Sequence, residues 1–541
     1  MVVLFHQIVG IIILISNIYA VTHQHYPSFS PVIKQDKSSI TVTNTIKLKP
    51  FNVPQLSEDF KQKMVAGVYA TYEDIPFLER PFAVFDTLIQ MRPDRPEGYF
   101  LKAALYLYMY QIDNSKANFD SLKHYADKII TICDSLLKKN PNDQYVLFYL
   151  GAIYGNMGLQ YLKQNNYWNA YWYGVKGKNY LEKTIKIDST LTDAELGIGI
   201  YLYYADILPK YIKSLLYIVR LAGNKEEGLK KIRFAAENSF LGRMEAYYFL
   251  AKILDEYEGR TEEAQSILQK LSMRFPDSQY FIYTLGIFYY EHGEFLEAQN
   301  LFQKLMIRPH RYYLRSAMYY LGNTAFTVGD YSEATLYFRE LITQFPPGAK
   351  DKLREVYYYL GLIYEYQKDR TNAVIHYKIA LNIDSKLYSK ELNSLLRAPL
   401  TAEDLYIKQI EDLINLKKYD QAELLINGKL NAVIQRQEHI DEYNNSRYNI
   451  LLTAIALKQN KITEAGFFLK RCNDGSIRNN IEWWVRDKLL SFEVYIKTKD
   501  NKGVEKSVNE LRKVDFNKLP IYYHRIYNNL QYKYFGEVKY Q

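Results

Sequence analysis

Residues 281–305 read FIYTLGIFYYEHGEFLEAQNLFQKL, and their spacing decides the fold. Ile282, Leu285-Gly286 and Tyr289 fall three and four apart, which lines them along one apolar stripe of a helix. After a short polar turn, Ala298 and Phe302 mark the inner face of a second helix. The next copy carries Met318, Leu321-Gly322, Ala325, Ala334, Phe338 and a closing Pro346. A third has Tyr357, Leu360-Gly361, Tyr364, Ala373, Tyr377 and Ala380; an earlier one has Tyr247, Leu250-Ala251, Leu254, Ala264, Leu268 and Pro276. From Ala251 through Gly286 and Gly322 to Gly361 the steps are 35, 36 and 39 residues. Glycine inside a helix costs roughly 1 kcal/mol against alanine. That is tolerable where the missing side chain lets the second helix come close. Ala298, Ala334 and Ala373 each stand twelve residues after their glycine and are read as its small partner.

The pattern is W-x2-L-G-x2-Y…A-x3-F with Ile282 in the Trp place, and the chain resembles the tetratricopeptide repeat (TPR) family. The resemblance implies an all-α chain, a right-handed superhelical solenoid of TPR-like helical hairpins with insertions. It also implies that the first helix of each hairpin lines a concave groove that grips an extended or helical segment of a partner. Tyr248, Tyr283, Tyr319 and Tyr358 each follow a stripe residue by one place, towards the groove as that family builds it, and Phe148 follows Leu147 in the same way. These five residues form the candidate partner-binding column. Tyr283 and Tyr319 are expected to be partly exposed, and Tyr289 to be buried. The carboxylate clamp of chaperone-docking TPRs is absent, because its places hold Tyr, Ile287, Leu362 and a lone Asn323. The run Leu196–Leu229, with Leu208-Pro209 and then Gly223-Asn-Lys-Glu-Glu-Gly-Leu229, also resembles the tetratricopeptide repeat protein 39 family.

At 541 residues the chain exceeds a single ordinary core, so several domains or an array are expected. Its 48% hydrophobic and 15% aromatic content exclude global disorder. The 53 tyrosines suit an array, since the ring packs between helices while the hydroxyl reaches water. A net charge of +9 is spread among acidic residues without a long basic block, which argues against nucleic acid. The two cysteines, Cys133 and Cys472, are far apart in sequence and are read as free thiols.

In order along the chain, residues 1–20 have an apolar core from Ile8 to Ile15, then Ser16-Asn17, with Ala20 at the cleavage position. They read as an export signal, or as an uncleaved N-terminal anchor that would associate with a membrane, since no Lys or Arg precedes the core. Export would place the protein in the periplasm or cell envelope. Residues 21–55 read as a linker, in which His23 and His25 are too isolated to define a metal site. The array runs from 56 to 384. An aromatic-rich insertion (Asn165 to Tyr173, with Tyr167, Trp168, Tyr171 and Trp172) lengthens one hairpin. Between Ala205 and Gly223 lies an amphipathic helix that covers the array or lies on a membrane surface. From 385 to 541 the pattern weakens into degenerate TPR-like hairpins, and a last helix from Tyr522 to about Tyr534 caps the end.

No nucleotide-binding glycine loop, zinc-protease motif or nucleophile elbow occurs. The expectation is a scaffold without catalytic residues, cofactor or metal that binds a protein or peptide. The alternative is a glycan-binding module whose Tyr and Trp rings stack on sugars.

Overall fold

The structure, a computed structural model, describes residues 53–73, 79–113, 115–164, 166–207, 223–307, 311–344, 350–436 and 440–538. The export signal or anchor, nearly all of the linker with His23 and His25, residues 208–222 and Pro346 lie outside them. Among the described residues run twenty-five α-helices and one 3-10 turn, with no strand. The chain is all-α. None of these helices is long and apolar enough to cross a membrane. The described residues divide into two compact units, 53–281 and 282–538. The array read from 56 to 384 therefore runs through the first and into the second.

The first unit holds five helical hairpins: Glu58–Glu73 with Glu79–Met91, Glu97–Asp113 with Lys116–Lys139, Gln144–Lys163 with Tyr167–Ile187, Asp193–Ile207 with Lys225–Asn238, and Arg243–Glu256 with Thr261–Arg274. Glycine sets how closely their helices approach. A Cβ on Gly67 would lie 2.4 Å from the Phe85 ring, and one on Gly151 would lie 2.8 Å from Leu181. In the fourth hairpin Gly199 makes the close approach, against Gly228 O at 2.8 Å and Ile232, while Gly197 faces Leu181 of the preceding hairpin. The aromatic insertion does lengthen its hairpin, to helices of 20 and 21 residues. They cross through paired glycines, Gly158 on Gly174 and Gly177 on Gly155.

In the second unit three hairpins follow the motif closely: Gln279–Glu291 with Phe295–Ile307, Arg311–Thr327 with Tyr331–Gln344, and Lys350–Tyr366 with Arg370–Asn382. The ring four places after the alanine, rather than the alanine, fills the glycine notch. A Cβ on Gly286 would lie 2.9 Å from Phe302, on Gly322 2.5 Å from Phe338, and on Gly361 2.3 Å from Tyr377. The alanines are buried beside these rings. The first two rings also join one hairpin to the next: Tyr320 stacks on Phe302 at 5.0 Å, and Tyr359 on Phe338 at 5.8 Å.

Beyond 385 come Ser389–Arg397, the hairpins Ala402–Asn415 with Tyr419–Gln435, Glu442–Lys458 with Ile462–Leu469, and Ile481–Thr498 with Asn501–Leu511, the short helix Asp474–Ile477, the 3-10 turn Phe516–Lys518, and finally Ile521–Phe535. Their turns repeat those of the clear copies. Gly293, Gly329, Lys368, Lys417, Asn460 and Lys499 all have φ between 58° and 84°. After each one, the next N–H (Glu294, Asp330, Asp369, Lys418, Lys461, Asp500) donates to the carbonyl five residues back at 2.8–2.9 Å. That left-handed close is a standard helix C-terminus. The helices beyond 385 thus share the turn close of the clear copies.

Candidate partner-binding surface

The candidate column does not form a uniform wet stripe. In the first unit Phe148 is buried against Phe100 and Tyr149. Tyr248 is half-buried, and its ring leans on Tyr280, which in turn meets Tyr108 at 4.8 Å. In the second unit Tyr283 is half-buried among Phe302, Tyr313 and Tyr320. Tyr358 is half-buried and stacks on Tyr388 at 4.3 Å.

Tyr319 departs from expectation. It is 3% exposed, and its hydroxyl donates to Glu355 Oε2 at 2.7 Å. The Lys352 ammonium lies 4.8 Å over its ring. Burial pushes the Glu355 carboxyl well above the usual carboxylate range. The offset by one helical step places a side chain near the edge of the stripe. At Tyr319 the following hairpin closes over that edge. Tyr289, expected in the core, is half-buried, and its neighbours Phe288 and Tyr290 carry the buried surface. Asn323 is buried rather than displayed.

The C-terminal helices of the second unit bind onto the turn ends of its repeats. Asn415 Nδ2 donates to Thr327 O at 3.0 Å, and Lys408 to Phe326 O at 3.3 Å. Lys408 is also ion-paired to Asp412 and lies over the rings of Phe326, Tyr331 and Tyr366. Tyr331 donates to Asp412 at 2.9 Å. Gly329, at positive φ, leaves the space that the Asp412 carboxylate occupies. Lys417 bridges Glu294 and Glu297 at 3.0 and 2.6 Å, and Arg525 reaches Glu291 at 2.8 Å. Nearby, Lys458 Nζ is buried without a hydrogen-bond partner, and burial pulls its ammonium down to about 7. An open notch of about 550 Å³ remains among these turns, lined by Leu296, Gln299, Tyr331, Gln367 and Leu416.

Sequence spacing did not point to Tyr388 or to the bridging residues of the C-terminal helices, because they lie after the break in repeat phase. It did flag Trp168, Tyr171 and Trp172, but only as an insertion, and all three are exposed. Among the described residues no group of His, Cys, Asp and Glu is placed to hold a metal ion. Both cysteines are free thiols.

Among solved structures, the chain is similar to yeast Tom70, at 14% identity over 84% of this chain and 93% of that one, with a TM-score of 0.30. It is similar to the human IFIT1 dimer with PPP-AAAA, at 14% identity, 80% and 98% coverage and a TM-score of 0.34. It is also similar to c5321, a protective antigen of uropathogenic Escherichia coli displaying an SLR fold, at 16% identity, 71% and 82% coverage and a TM-score of 0.32. The repeat reading rests instead on the helix pairs above and on a family model. The model of Iml2/Tetratricopeptide repeat protein 39 matches residues 161–377, a stretch that contains the Leu196–Leu229 resemblance. Over those residues the chain is similar to that family, and its described length is an array of TPR-like helical hairpins.

Proposed function

We propose that the protein is a non-catalytic scaffold that holds a protein or peptide partner against the first helices of its hairpins. In the second unit Tyr283 and Tyr358 supply the contact area, while Tyr319 holds the hairpins beneath it. The observation that carries this reading is the partial exposure of those two tyrosines at matching repeat positions, each with its ring braced by another. A braced aromatic ring gives contact area at little entropic cost, which suits a binding anchor. The apolar run from Ile8 to Ile15 supports export, so the scaffold is placed in the periplasm or cell envelope, where it would serve assembly of a complex. Affinity capture from a native extract, read by mass spectrometry, tests the reading. A protein recovered in stoichiometric amount with wild type, and lost with Tyr283→Ala/Tyr358→Ala, is expected. Recovery unaffected by the double substitution would refute it.

A further inference from the structure

In the second unit two cations beside the candidate column are left without a counter-charge. Arg315 lies one turn before Tyr319 on the helix Arg311–Thr327, and the Lys352 ammonium reaches over the Tyr319 ring, 4.8 Å away, from the next hairpin. Both therefore flank one buried ring. Neither forms an ion pair or a hydrogen bond, and the Arg315 Nε is buried without an acceptor.

The acids along these helices are engaged elsewhere. Arg311–Thr327 holds none. At the start of Lys350–Tyr366, Glu355 accepts the Tyr319 hydroxyl and Asp351 accepts that of Ser385, while Asp384 pairs with Lys350 at 2.6 Å. Nor does Glu355 neutralise Lys352 across the ring. A carboxylate and an ammonium that pair draw the acid's pKa down and the base's up. Here burial pushes Glu355 up, while burial and then the Arg315 guanidinium pull Lys352 down. Lys352 is nonetheless open to water. A side chain that is both wetted and desolvated stands in a concavity, where an entering charge of opposite sign is attracted more strongly than on an open surface.

We propose that Arg315 and Lys352 receive a side-chain carboxylate of the segment bound along these first helices, which makes the partner an acidic peptide. The proposal rests on the groove reading above and adds the chemistry of the occupant. Neither residue stands at a place of the chaperone-docking clamp. Two like charges side by side repel in the empty protein, and one carboxylate between them removes that repulsion. Arginine supplies donors in a fixed fork and lysine a point charge, so together they can hold both carboxylate oxygens. The half-buried rings of Tyr283 and Tyr358 on the flanking first helices would cover apolar parts of the same segment.

The test is fluorescence anisotropy of the full chain with labelled peptides of Ala and Tyr plus Glu, Gln or Lys, amidated at the C-terminus so that only side chains differ in charge. The Glu peptide should bind, more weakly as salt rises, and the Gln and Lys peptides should bind about tenfold less or worse. Arg315→Gln/Lys352→Gln should erase that preference, and Lys352→Arg should keep it. The glutamine variant should melt no lower than wild type, because neither cation is paired within the fold. Glu-peptide binding unchanged in the glutamine variant, but weakened by Tyr283→Ala/Tyr358→Ala, would overturn the proposal and leave the groove standing. Binding lost in the glutamine variant and untouched by the tyrosine variant would keep the anion site and refute the groove. No preference for Glu over Gln would overturn the proposal. So would a single-stranded oligonucleotide that binds in place of the Glu peptide and is lost in the glutamine variant.

Discussion

Gly322→Leu puts a side chain where a Cβ alone would lie 2.5 Å from Phe338 Cε1 and 2.7 Å from Cδ1, while ordinary contact begins near 3.4 Å. The ring has little room to retreat, since Phe338 is fully buried and Tyr359 stacks on its other side. For Gly322→Ala the ring must yield by roughly 1 Å. Overpacking of that size costs about 1–3 kcal/mol, of which about 1 kcal/mol returns because alanine is the better helix former. Leucine adds three carbons with no space for them, so its cost is several kcal/mol. In a body of this size each kcal/mol shifts Tm by about 2–4 °C. Scanning calorimetry should therefore show the second unit melting a few degrees lower for alanine and about 10 °C lower for leucine. Gly428 is the control: it lies in the exposed interior of Tyr419–Gln435 with nothing within 4 Å of a built Cβ. Gly428→Ala should raise stability by about 0.4–1 kcal/mol. If Gly322→Leu melts with wild type, or the two alanine substitutions shift Tm the same way, the notch-and-ring joint is wrong.

Other outcomes follow from single contacts. Lys499 is exposed at φ 59°, a conformation that costs an L-residue about 1–2 kcal/mol, so Lys499→Gly should stabilise the second unit by about 1 kcal/mol in a denaturant titration. Lys458→Met removes a buried ammonium whose folded pKa is about 7 against an ordinary 10.5. Between those values the unfolded chain binds the extra proton, so wild-type stability rises with pH there. The gain in Tm from Lys458→Met should thus be full below pH 7 and shrink towards pH 10.5; a gain independent of pH would contradict the burial of that ammonium. Mass spectrometry of the mature protein should begin at Val21 if residues 1–20 are a cleaved signal, and a start at Met1 in a membrane fraction would favour the anchor.

The hairpins from Met244 to Asp384 were legible because their requirement is local: two helices at close range need a glycine on one and a bulky ring on the other, at fixed spacing. Which ring entered the notch was less legible, since Ala334 and Phe338 lie on the same helical face and only packing separates them. The turns after 385 were hard to read because Lys417, Asn460 and Lys499 adopt the left-handed conformation that glycine would have announced. The column was legible as positions but not as exposure. Tyr283 and Tyr319 occupy the same repeat position, yet Tyr319 is buried with its hydroxyl on Glu355 while Tyr283 is half-buried. The tie from Arg525 to Glu291 spans 234 residues of sequence, and no periodicity encodes it.

The central claim, that half-buried tyrosines on the first helices hold a partner, is tested most directly by titrating the captured partner, by calorimetry, into wild type and Tyr283→Ala/Tyr358→Ala. Aromatic anchors cost about 2 kcal/mol or more on truncation, so affinity should fall by at least tenfold. Melting should stay close to wild type, whereas Tyr290→Ala, which empties a buried site, should lower it strongly. Unchanged affinity in a double variant that melts like wild type would contradict the claim.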